Sequence, residues 1–394
     1  MPLVPEAPAS HTSGGYRSLY SFGRDGKSGD GNRAVAPLVA VGARLYGTAQ
    51  YGGITNAHCD LGCGIVFAVS ESGNESVLYR FKGGSDGAQP LGELTVVNGK
   101  LIGTTSGGGA SGCAGGCGSI FELSTAGSET ILYRFAGGSD GAVPAAGLIA
   151  VGTTLYGTTQ RGGMKTPSCP HGCGTVFSVS EDGSEHVIYR FQGGKDGAYP
   201  VARLIVDGST LFGTTQYGGP QTPFCATGCG TLFQISTAGV KKMLHGFSYG
   251  PKSQDGAYPA AGVVEYDGKL YGTTMGGGRD GDGSVFDADP STGAEHVLHF
   301  FSCCGTSTDG TFPFARLVRI GNVLFGTTRD GGTSNAGTIF NIRPSGLETV
   351  VHNFAGRPDG AQPEAGLVVV GRTLFGTTSS GGARSQGTIF EQKE

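Results

Sequence analysis

The stretch Leu155-Tyr156-Gly157-Thr158-Thr159 decides the fold, because the chain repeats it. Copies of its first four residues, with small changes, lie 50 to 59 residues apart and begin at Leu45, Leu101, Leu155, Leu211, Leu270, Leu324 and Leu374. A period near 50 residues is found in known propeller repeats, where each repeat forms one blade.

Each repeat contains four short apolar runs. In the third repeat they are residues 147–151, 154–159, 174–179 and 186–191. The runs are rich in β-branched and aromatic residues and are bounded by Gly, Asp and Ser, which predicts strands and tight turns. Four short antiparallel strands in each of seven repeats predict an all-β, seven-bladed β-propeller of four-stranded antiparallel blades.

The two ends of the chain are out of phase with the repeat. Residues 17–22 match a fourth strand, and residues 387–390 match a third strand. We therefore expect the N-terminal strand to complete the C-terminal blade, which removes an open sheet edge. This predicts one propeller domain over residues 16–394 and a flexible segment over residues 1–15.

Composition excludes two classes of partner. The chain of 394 residues has a net charge of −4 and no basic stretch, which argues against nucleic-acid binding. No apolar run approaches the ~18 residues that span a bilayer. Residues 1–15 lack the charged and apolar regions of a signal peptide, so export would depend on a signal absent from this sequence. We expect a monomer.

The repeat resembles the GloVer tandem-repeat family of bacterial proteins that are predicted to be secreted or surface-located. The resemblance rests on the Leu-Tyr-Gly-Thr-Thr run, the Gly-Gly after it, the Gly-Thr-Val-Phe run, and Asp-Gly-Ala-x-Pro, as in Asp140 to Pro144. It covers residues 16 to 394. It implies a propeller and an exported location, and it brings no established catalytic motif.

The loops divide between two faces. With strands named a to d from the axis outwards, the a–b turns (residues 151–153 in the third repeat) and c–d turns (residues 181–183) are tight. The b–c and d–a connections are longer and more variable, and they emerge on the other face. Binding sites usually lie on variable loops of a rigid scaffold, so we expect the functional site on the b–c/d–a face.

The ten cysteines form five local pairs. Four pairs lie in b–c loops with three residues between the cysteines, and the fifth is adjacent in a d–a loop: Cys59/Cys63, Cys113/Cys117, Cys169/Cys173, Cys225/Cys229 and Cys303/Cys304. A disulfide within each b–c loop is the favoured interpretation and implies an oxidising compartment. A metal site joining pairs across blades, with His58 or His171 as further ligands, is the alternative. The pairing of Cys303 and Cys304 stays open, and we expect no cofactor.

An Asp-Gly pair recurs in every d–a loop, at Asp30, Asp86, Asp140, Asp196, Asp255, Asp309 and Asp359. A residue present in every blade is expected to serve the blade, here by accepting backbone N–H bonds in its own turn. His245, His299 and His352 replace the Tyr of the outer strand d, far from the axis, and we expect them to be edge residues.

Function is expected where the repeats differ. Glu93, Arg203 and Arg316 replace Gly in strand a, just before its first Leu or Val and near the axis, and the candidates in the loops are Tyr51, Arg161, Tyr199, Tyr217, Tyr258 and Arg329. Arginine binds carboxylate or sulfate in a bidentate manner, and tyrosine provides a stacking surface for sugar rings. The alternative is that Arg and Glu pair with each other and the aromatic rings pack between blades.

These residues support three hypotheses. The first is a secreted or surface module that binds an extracellular ligand such as an anionic glycan. The second is a polysaccharide lyase or hydrolase at the channel mouth, with Arg203 and Arg316 neutralising a uronate and Tyr199 removing a proton. The third is a structural or protein-interaction propeller.

Overall fold

The computed structural model describes residues 15–23, 29–250, 253–302 and 309–394. These residues form seven four-stranded antiparallel blades arranged as a propeller and contain no α-helix. No helix in the described ranges is long and apolar enough to span a bilayer. Residues 1–14 and the pair Cys303/Cys304 lie outside the described residues.

The strands of successive blades correspond closely. The a strands are Val39–Val41, Thr95–Val97, Ile149–Val151, Ile205–Asp207, Val264–Tyr266, Val318–Ile320 and Val368–Val370. The b strands are Arg44–Ala49, Lys100–Thr105, Thr154–Thr159, Thr210–Thr215, Lys269–Thr274, Val323–Thr328 and Thr373–Thr378. The c strands are Ile65–Ser70, Gly116–Leu123, Thr175–Ser180, Thr231–Ser236, Ser284–Ala288, Thr338–Ile342 and Thr388–Lys393. The d strands are Glu75–Arg80, Glu129–Arg134, Glu185–Arg190, Lys241–Gly246, Glu295–Phe300, Glu348–Asn353 and Tyr16–Ser21.

Shorter elements lie in the loops. Three 3-10 turns precede strand a of blades 2 to 4, at Gly84–Asp86, Gly138–Asp140 and Gly194–Asp196. Two-residue strands pair within and between the d–a and b–c loops, at Gly31–Asn32, Tyr51–Gly52, Gly108–Gly109, Tyr249–Gly250, Ser253–Gln254, Gly256–Ala257, Gly276–Gly277, Gly310–Thr311 and Asp330–Gly331. Strand a is shorter than the sequence predicted, because residues 147 and 148 precede its ladder in blade 3.

The first strand of the chain pairs with the last. Tyr16–Ser21 runs antiparallel to Thr388–Lys393, with Tyr16 opposite Gln392 and Ser21 opposite Thr388. The N-terminal strand is therefore strand d of blade 7, and the two ends of the chain share one sheet.

The glycine of the repeated motif is required by packing. A Cβ atom on Gly157 would lie 2.5 Å from Leu148 Cδ2 and 2.6 Å from Phe177 Cζ. The Phe177 ring in turn packs edge-on against Phe135 of the preceding blade, with 5.0 Å between ring centroids. Edge-to-face aromatic pairs of this kind recur at the other blade interfaces and form the core between sheets.

The first threonine after that glycine ties one blade to the next. Thr214 Oγ1 donates to the Ala261 carbonyl of blade 5 at 2.9 Å, and equivalent bonds form at Thr104, Thr158, Thr273, Thr327 and Thr377. Thr48 differs, since its buried Oγ1 has no hydrogen-bond partner among the described residues. Six interfaces therefore contain a hydrogen bond that the first lacks.

The Asp-Gly aspartates are structural, as the sequence indicated. Asp140 accepts the Ala136 N–H at 2.6 Å and the Tyr133 hydroxyl at 2.8 Å. His245, His299 and His352 lie on the outermost strand d of their blades, as expected for edge residues. Each takes the place of that Tyr and lies 2.9 to 3.1 Å from the aspartate of its own d–a loop.

Candidate functional site

The third residue after each Asp of the d–a loop has a left-handed backbone. Its φ lies between 55° and 60° in all seven copies, none of which is glycine: Arg33, Gln89, Val143, Tyr199, Tyr258, Phe312 and Gln362. Left-handed φ is uncommon outside glycine, so the conformation must be held by its surroundings. The Tyr199 N–H donates to the Cys173 carbonyl of blade 3 at 2.8 Å, and its carbonyl accepts the Gln216 N–H of blade 4 at 3.1 Å.

Disulfides close the b–c loops of blades 1 to 4. Among the described residues four are present, Cys59–Cys63, Cys113–Cys117, Cys169–Cys173 and Cys225–Cys229, which confirms the predicted pairing for those cysteines. Their sulfur atoms are bonded to each other, so they are not thiolate ligands for a metal. Because the Cys173 and Cys229 carbonyls accept the N–H groups of Tyr199 and Tyr258, the closed loops hold these two tyrosines.

Three tyrosines form a continuous wall on the b–c/d–a face. The ring of Tyr217 lies 5.7 Å from that of Tyr199 and 5.5 Å from that of Tyr258, measured between centroids. All three side chains are half-buried. Burial, together with Tyr217 and Tyr249, raises the pKa of Tyr258, which keeps its hydroxyl neutral. That hydroxyl donates to the Phe224 carbonyl at 3.3 Å. We name Tyr199, Tyr217 and Tyr258 the tyrosine wall.

Tyr199 and Tyr217 of the tyrosine wall line a cleft of about 390 Å³ between blades 3 and 4. Cys169 of one disulfide loop lines one side, and Thr227 of the next disulfide loop lines the other. Phe224 lies beside this region with 52% of its surface exposed. Its ring packs edge-on against Tyr249, with 5.6 Å between ring centroids. Phe224 and Tyr249 were not predicted from the sequence, although a phenylalanine directly before Cys225 in a polar loop was an available signal.

A second cavity of about 470 Å³ forms the mouth of the central channel on the same face. Its walls are mostly alanine, glycine and valine, and Glu93, Arg203 and Arg316 project among them. Glu93 Oε2 lies 3.6 Å from Arg203 Nη1 and 3.5 Å from Arg316 Nη2. Arg203 Nε also donates to the Leu148 carbonyl at 2.8 Å. Two guanidinium groups therefore share one carboxylate, and the group carries one positive charge.

Burial and the neighbouring Arg316 make the charged form of Arg203 less favourable. Burial lowers the pKa of Arg203 from its ordinary value, Glu93 opposes that shift, and Arg316 adds to it. An arginine stays protonated at physiological pH even so. The group is thus a partly desolvated cationic site in which a second anion would be stabilised.

A second ion group lies across the channel mouth. Glu364 pairs with Arg33 at 3.5 Å and with Arg329 at 3.2 Å, and Arg329 also lies 3.9 Å from Asp330. Arg33 and Glu364 were not among the site residues predicted from the sequence. The signal for Glu364 was its place directly after Pro363, where other repeats have the apolar residues Leu91, Ala145, Val201, Ala260 and Phe314.

The structure brings together some of the predicted site residues and separates others. Tyr199, Tyr217 and Tyr258 share one wall, and Glu93, Arg203 and Arg316 share one ion group, as the pairing alternative expected. Tyr51 lies on blade 1, where its segment pairs with Asn32, away from the tyrosine wall. Arg161 is exposed on blade 3 and forms no ion pair with a described residue.

Comparison with solved structures supports the architecture. An oligogalacturonate lyase in complex with manganese is similar over 92% of this chain and 89% of that chain, with 12% identity and a TM-score of 0.52. A candidate 6-phosphogluconolactonase from Bacteroides fragilis is similar over 86% of this chain and 88% of that chain, with 15% identity and a TM-score of 0.51. At such identities the similarity shows the fold alone.

Sequence comparison identifies the family. No curated protein matches the chain. The family model of the Gloeobacter/Verrucomicrobia repeat matches residues 9–167 and residues 163–329, which together make up well over half of the chain. The chain therefore belongs to the Gloeobacter/Verrucomicrobia repeat family, which is the family that the repeated motif indicated.

Proposed function

We propose that this protein is an extracellular binding propeller for an acidic oligosaccharide. The observation that carries the proposal is the tyrosine wall, two of whose rings, Tyr199 and Tyr217, line a cleft beside a channel mouth rich in arginine. Half-buried tyrosine rings give a sugar ring a flat apolar surface with a hydroxyl at its edge. Few polar groups among apolar walls are typical of small-molecule and cofactor sites.

The two cavities adjoin through consecutive residues. Gln216 lines the channel mouth, and the next residue, Tyr217, lines the cleft. A ligand that stacks on Tyr217 would therefore reach Gln216 and the ion group of Arg203, Glu93 and Arg316. The excess of arginine over carboxylate in that group favours an acid sugar over a neutral sugar.

The extracellular part of the proposal rests on the disulfides. Four disulfides among the described residues are typical of an oxidising environment, and such bonds are rare in proteins of the cytosol. The family resemblance, which implies export, supports the same location.

Replacing Tyr217 tests the site. Screening on a glycan array identifies an oligosaccharide, and calorimetry then measures its Kd. We expect Tyr217→Ala to weaken binding by about tenfold or more, because it removes the central ring of the wall. Tyr266→Ala is the matched control, since Tyr266 ends strand a on the opposite face. Equal affinity of Tyr217→Ala and the wild type would contradict the proposal.

The acidic character of the ligand has its own test. Arg316→Gln is expected to weaken binding of an oligouronate by about tenfold and to leave its neutral analogue unchanged. Binding of the oligouronate should also weaken as salt rises. Equal effects on both sugars would assign Arg316 to the structure of the channel instead.

The same reagents separate binding from catalysis. A lyase would convert the bound oligouronate into an unsaturated product with new ultraviolet absorbance, and a hydrolase would release reducing ends. Sustained turnover that is lost in the Tyr199→Phe variant would replace the binding proposal with the enzyme hypothesis. A propeller that retains no glycan would favour the structural hypothesis.

A further inference from the structure

A group of three residues recurs at the outer edge of every blade interface; we name it the rim triad. It consists of a Tyr or His of strand d, the Asp of the d–a loop that follows, and the first residue of strand d in the next blade. By position, the triads are Tyr20–Asp30–Glu75, Tyr79–Asp86–Glu129, Tyr133–Asp140–Glu185, Tyr189–Asp196–Lys241, His245–Asp255–Glu295, His299–Asp309–Glu348 and His352–Asp359–Tyr16.

The aspartate of a triad is fully hydrogen-bonded. Both oxygens of Asp140 accept bonds, from the Tyr133 hydroxyl and from the Ala136 N–H. Glu295 of the next blade brings a carboxylate oxygen to within 4.8 Å of the Asp255 carboxylate, and Glu348 does the same at Asp309. Glu129 Oε2 lies 3.5 Å from the Tyr79 hydroxyl that donates to Asp86, and the buried Oε1 of Glu185 has no hydrogen-bond partner among the described residues. Two carboxylates side by side in a half-buried site do not both ionise without a large cost.

The third residue and the strand d residue vary from one triad to another. Lys241 replaces Glu in one Tyr triad, where its Nζ lies 2.9 Å from Asp196 Oδ1 and the side chain is 4% exposed. In two other triads Glu295 and Glu348 accompany a histidine. The charge of the aspartate is thus offset by lysine or by histidine in some triads, and in the Tyr–Asp–Glu triads a proton on the glutamate avoids a second negative charge.

We propose that the rim triads hold protons between blades, so that the propeller is most stable in mildly acidic solution and loosens at its interfaces as the pH rises above neutrality. The device rests on the geometry of the paired carboxyl groups, such as Asp255 with Glu295 and Asp309 with Glu348, and it does not depend on the proposed ligand.

The pKa values of Glu129, Glu185, Glu295 and Glu348 are all shifted upwards, which is the direction that the proposal requires. Burial and Asp140 raise the pKa of Glu185 to about 8, against the opposing effect of Tyr133 and Arg190. Burial and Asp309 raise the pKa of Glu348 to about 7, with His299 opposing. Burial, Asp255 and Asp287 raise that of Glu295 to about 7, with His245 opposing. Burial and Asp86 also raise the pKa of Glu129, against Tyr79, Arg134 and Lys82.

The sign of the pH dependence follows from these directions. A glutamate whose pKa is higher in the folded than in the unfolded chain stabilises the fold fully below its ordinary pKa. That stabilisation is lost as the pH rises through the folded value, here about 7 to 8. His245 acts in the same direction: burial lowers its pKa, but the hydrogen bond and charge of Asp255, with Glu295, raise it overall.

A metal site is the alternative use of the two His–Asp–Glu triads. The ligand atoms of His245, Asp255 and Glu295 lie within 4.8 Å of one another. However, both oxygens of Asp255 already accept backbone N–H groups, from Ser248 at 2.8 Å and Gly256 at 2.7 Å. The histidine also occupies the place of a tyrosine that only donates a hydrogen bond in other triads. Proton binding is therefore the favoured interpretation.

Thermal unfolding of the full chain at pH 5.5 and pH 8.5, at constant ionic strength, tests the proposal. We expect Tm to be roughly 5–10 °C lower at the higher pH. The triple variant Glu185→Gln/Glu295→Gln/Glu348→Gln should lose more than half of that difference. Glu71→Gln, at an exposed turn, is the control and should keep it. Lys241→Glu should enlarge the difference, because it creates another carboxyl pair.

A spectroscopic measurement keeps the test decisive if the triple variant does not fold. The infrared difference spectrum of the wild type between the two pH values should show loss of the carbonyl band of a protonated carboxyl group. A Tm that is equal at both pH values, or a folded triple variant that keeps the whole difference, would overturn the proposal. A rise in Tm with micromolar Zn²⁺ that chelator reverses and Glu295→Gln abolishes would overturn it in favour of a metal site.

Discussion

Thr214 and Thr48 occupy the same position in two blades, and both are almost fully buried. Thr214 donates to a carbonyl of the next blade, whereas Thr48 Oγ1 finds no partner among the described residues. In the second blade the residue that corresponds to the acceptor Ala261 is Gly92. The repeat therefore provides its own comparison of a satisfied and an unsatisfied buried hydroxyl.

Substituting valine at each position should give different results. Thr214→Val removes the bond and leaves the Ala261 carbonyl without that donor, so we expect a loss of about 1–2 kcal/mol in the free energy of unfolding. Thr48→Val removes a hydroxyl that is already without a partner and should change stability by less than about 0.5 kcal/mol. Chemical denaturation measures both, and equal losses would show that the hydrogen bond does not decide the difference.

Glu364 lies at the channel mouth but was not predicted to do so from the sequence. The comparison of repeats selected Glu93, Arg203 and Arg316 because each replaces glycine. Glu364 and Arg33 replace small or varied residues, so the same comparison gave them less weight. Their pairing across the channel mouth depends on which loops meet at the axis, which is a tertiary property.

At the scale of the element, each disulfide loop positions the backbone of the left-handed residue in the next blade. Its cysteine carbonyl holds the left-handed residue of the next blade, and in blade 3 the Cys169–Cys173 loop also lines the cleft. The Cys113–Cys117 loop has the same closure but holds Val143, which does not line the cleft. Two similar loops thus differ in their relation to the proposed site.

Removing each disulfide separates stability from binding. Cys169→Ser/Cys173→Ser and Cys113→Ser/Cys117→Ser should each cost about 2 kcal/mol or less, because each closes a very short ring. The first variant alone is expected to weaken oligosaccharide binding, by about fivefold or more, because it frees the backbone that positions Tyr199. Calorimetry measures both variants. A similar loss of affinity in the second variant would argue against a local positioning effect.

At the scale of the whole molecule, the pairing of the first and last strands closes the propeller. Strand Tyr16–Ser21 covers Thr388–Lys393, and Tyr16 stacks on His352 of blade 6 with 3.8 Å between ring centroids. Removing this strand would expose a sheet edge and uncover a buried aromatic contact. Exposed edges favour aggregation.

Truncation tests this closure. A chain that begins after Ser21 should have a lower Tm than the full chain and a greater tendency to aggregate. A synthetic peptide of residues 15–23 added in trans should recover part of the lost Tm, because it can pair with the free edge. A chain that lacks only residues 1–14 retains every described strand and serves as the control. An unchanged Tm after loss of the strand would contradict the closure.

The sequence by itself determined the repeat, the blade, the number of blades, the cysteine pairing in four loops and the structural role of the Asp-Gly residues. These features are local or periodic: strand patterns, turn residues and short cysteine spacings report on neighbours within one repeat. The tertiary structure decided which side chains meet between blades. It joined Tyr217 to Tyr199 and Tyr258, bound Glu93 between two arginines, and placed Glu295 beside Asp255 and Glu348 beside Asp309. Those contacts depend on the lateral spacing of separate sheets, which no pattern within a single repeat encodes.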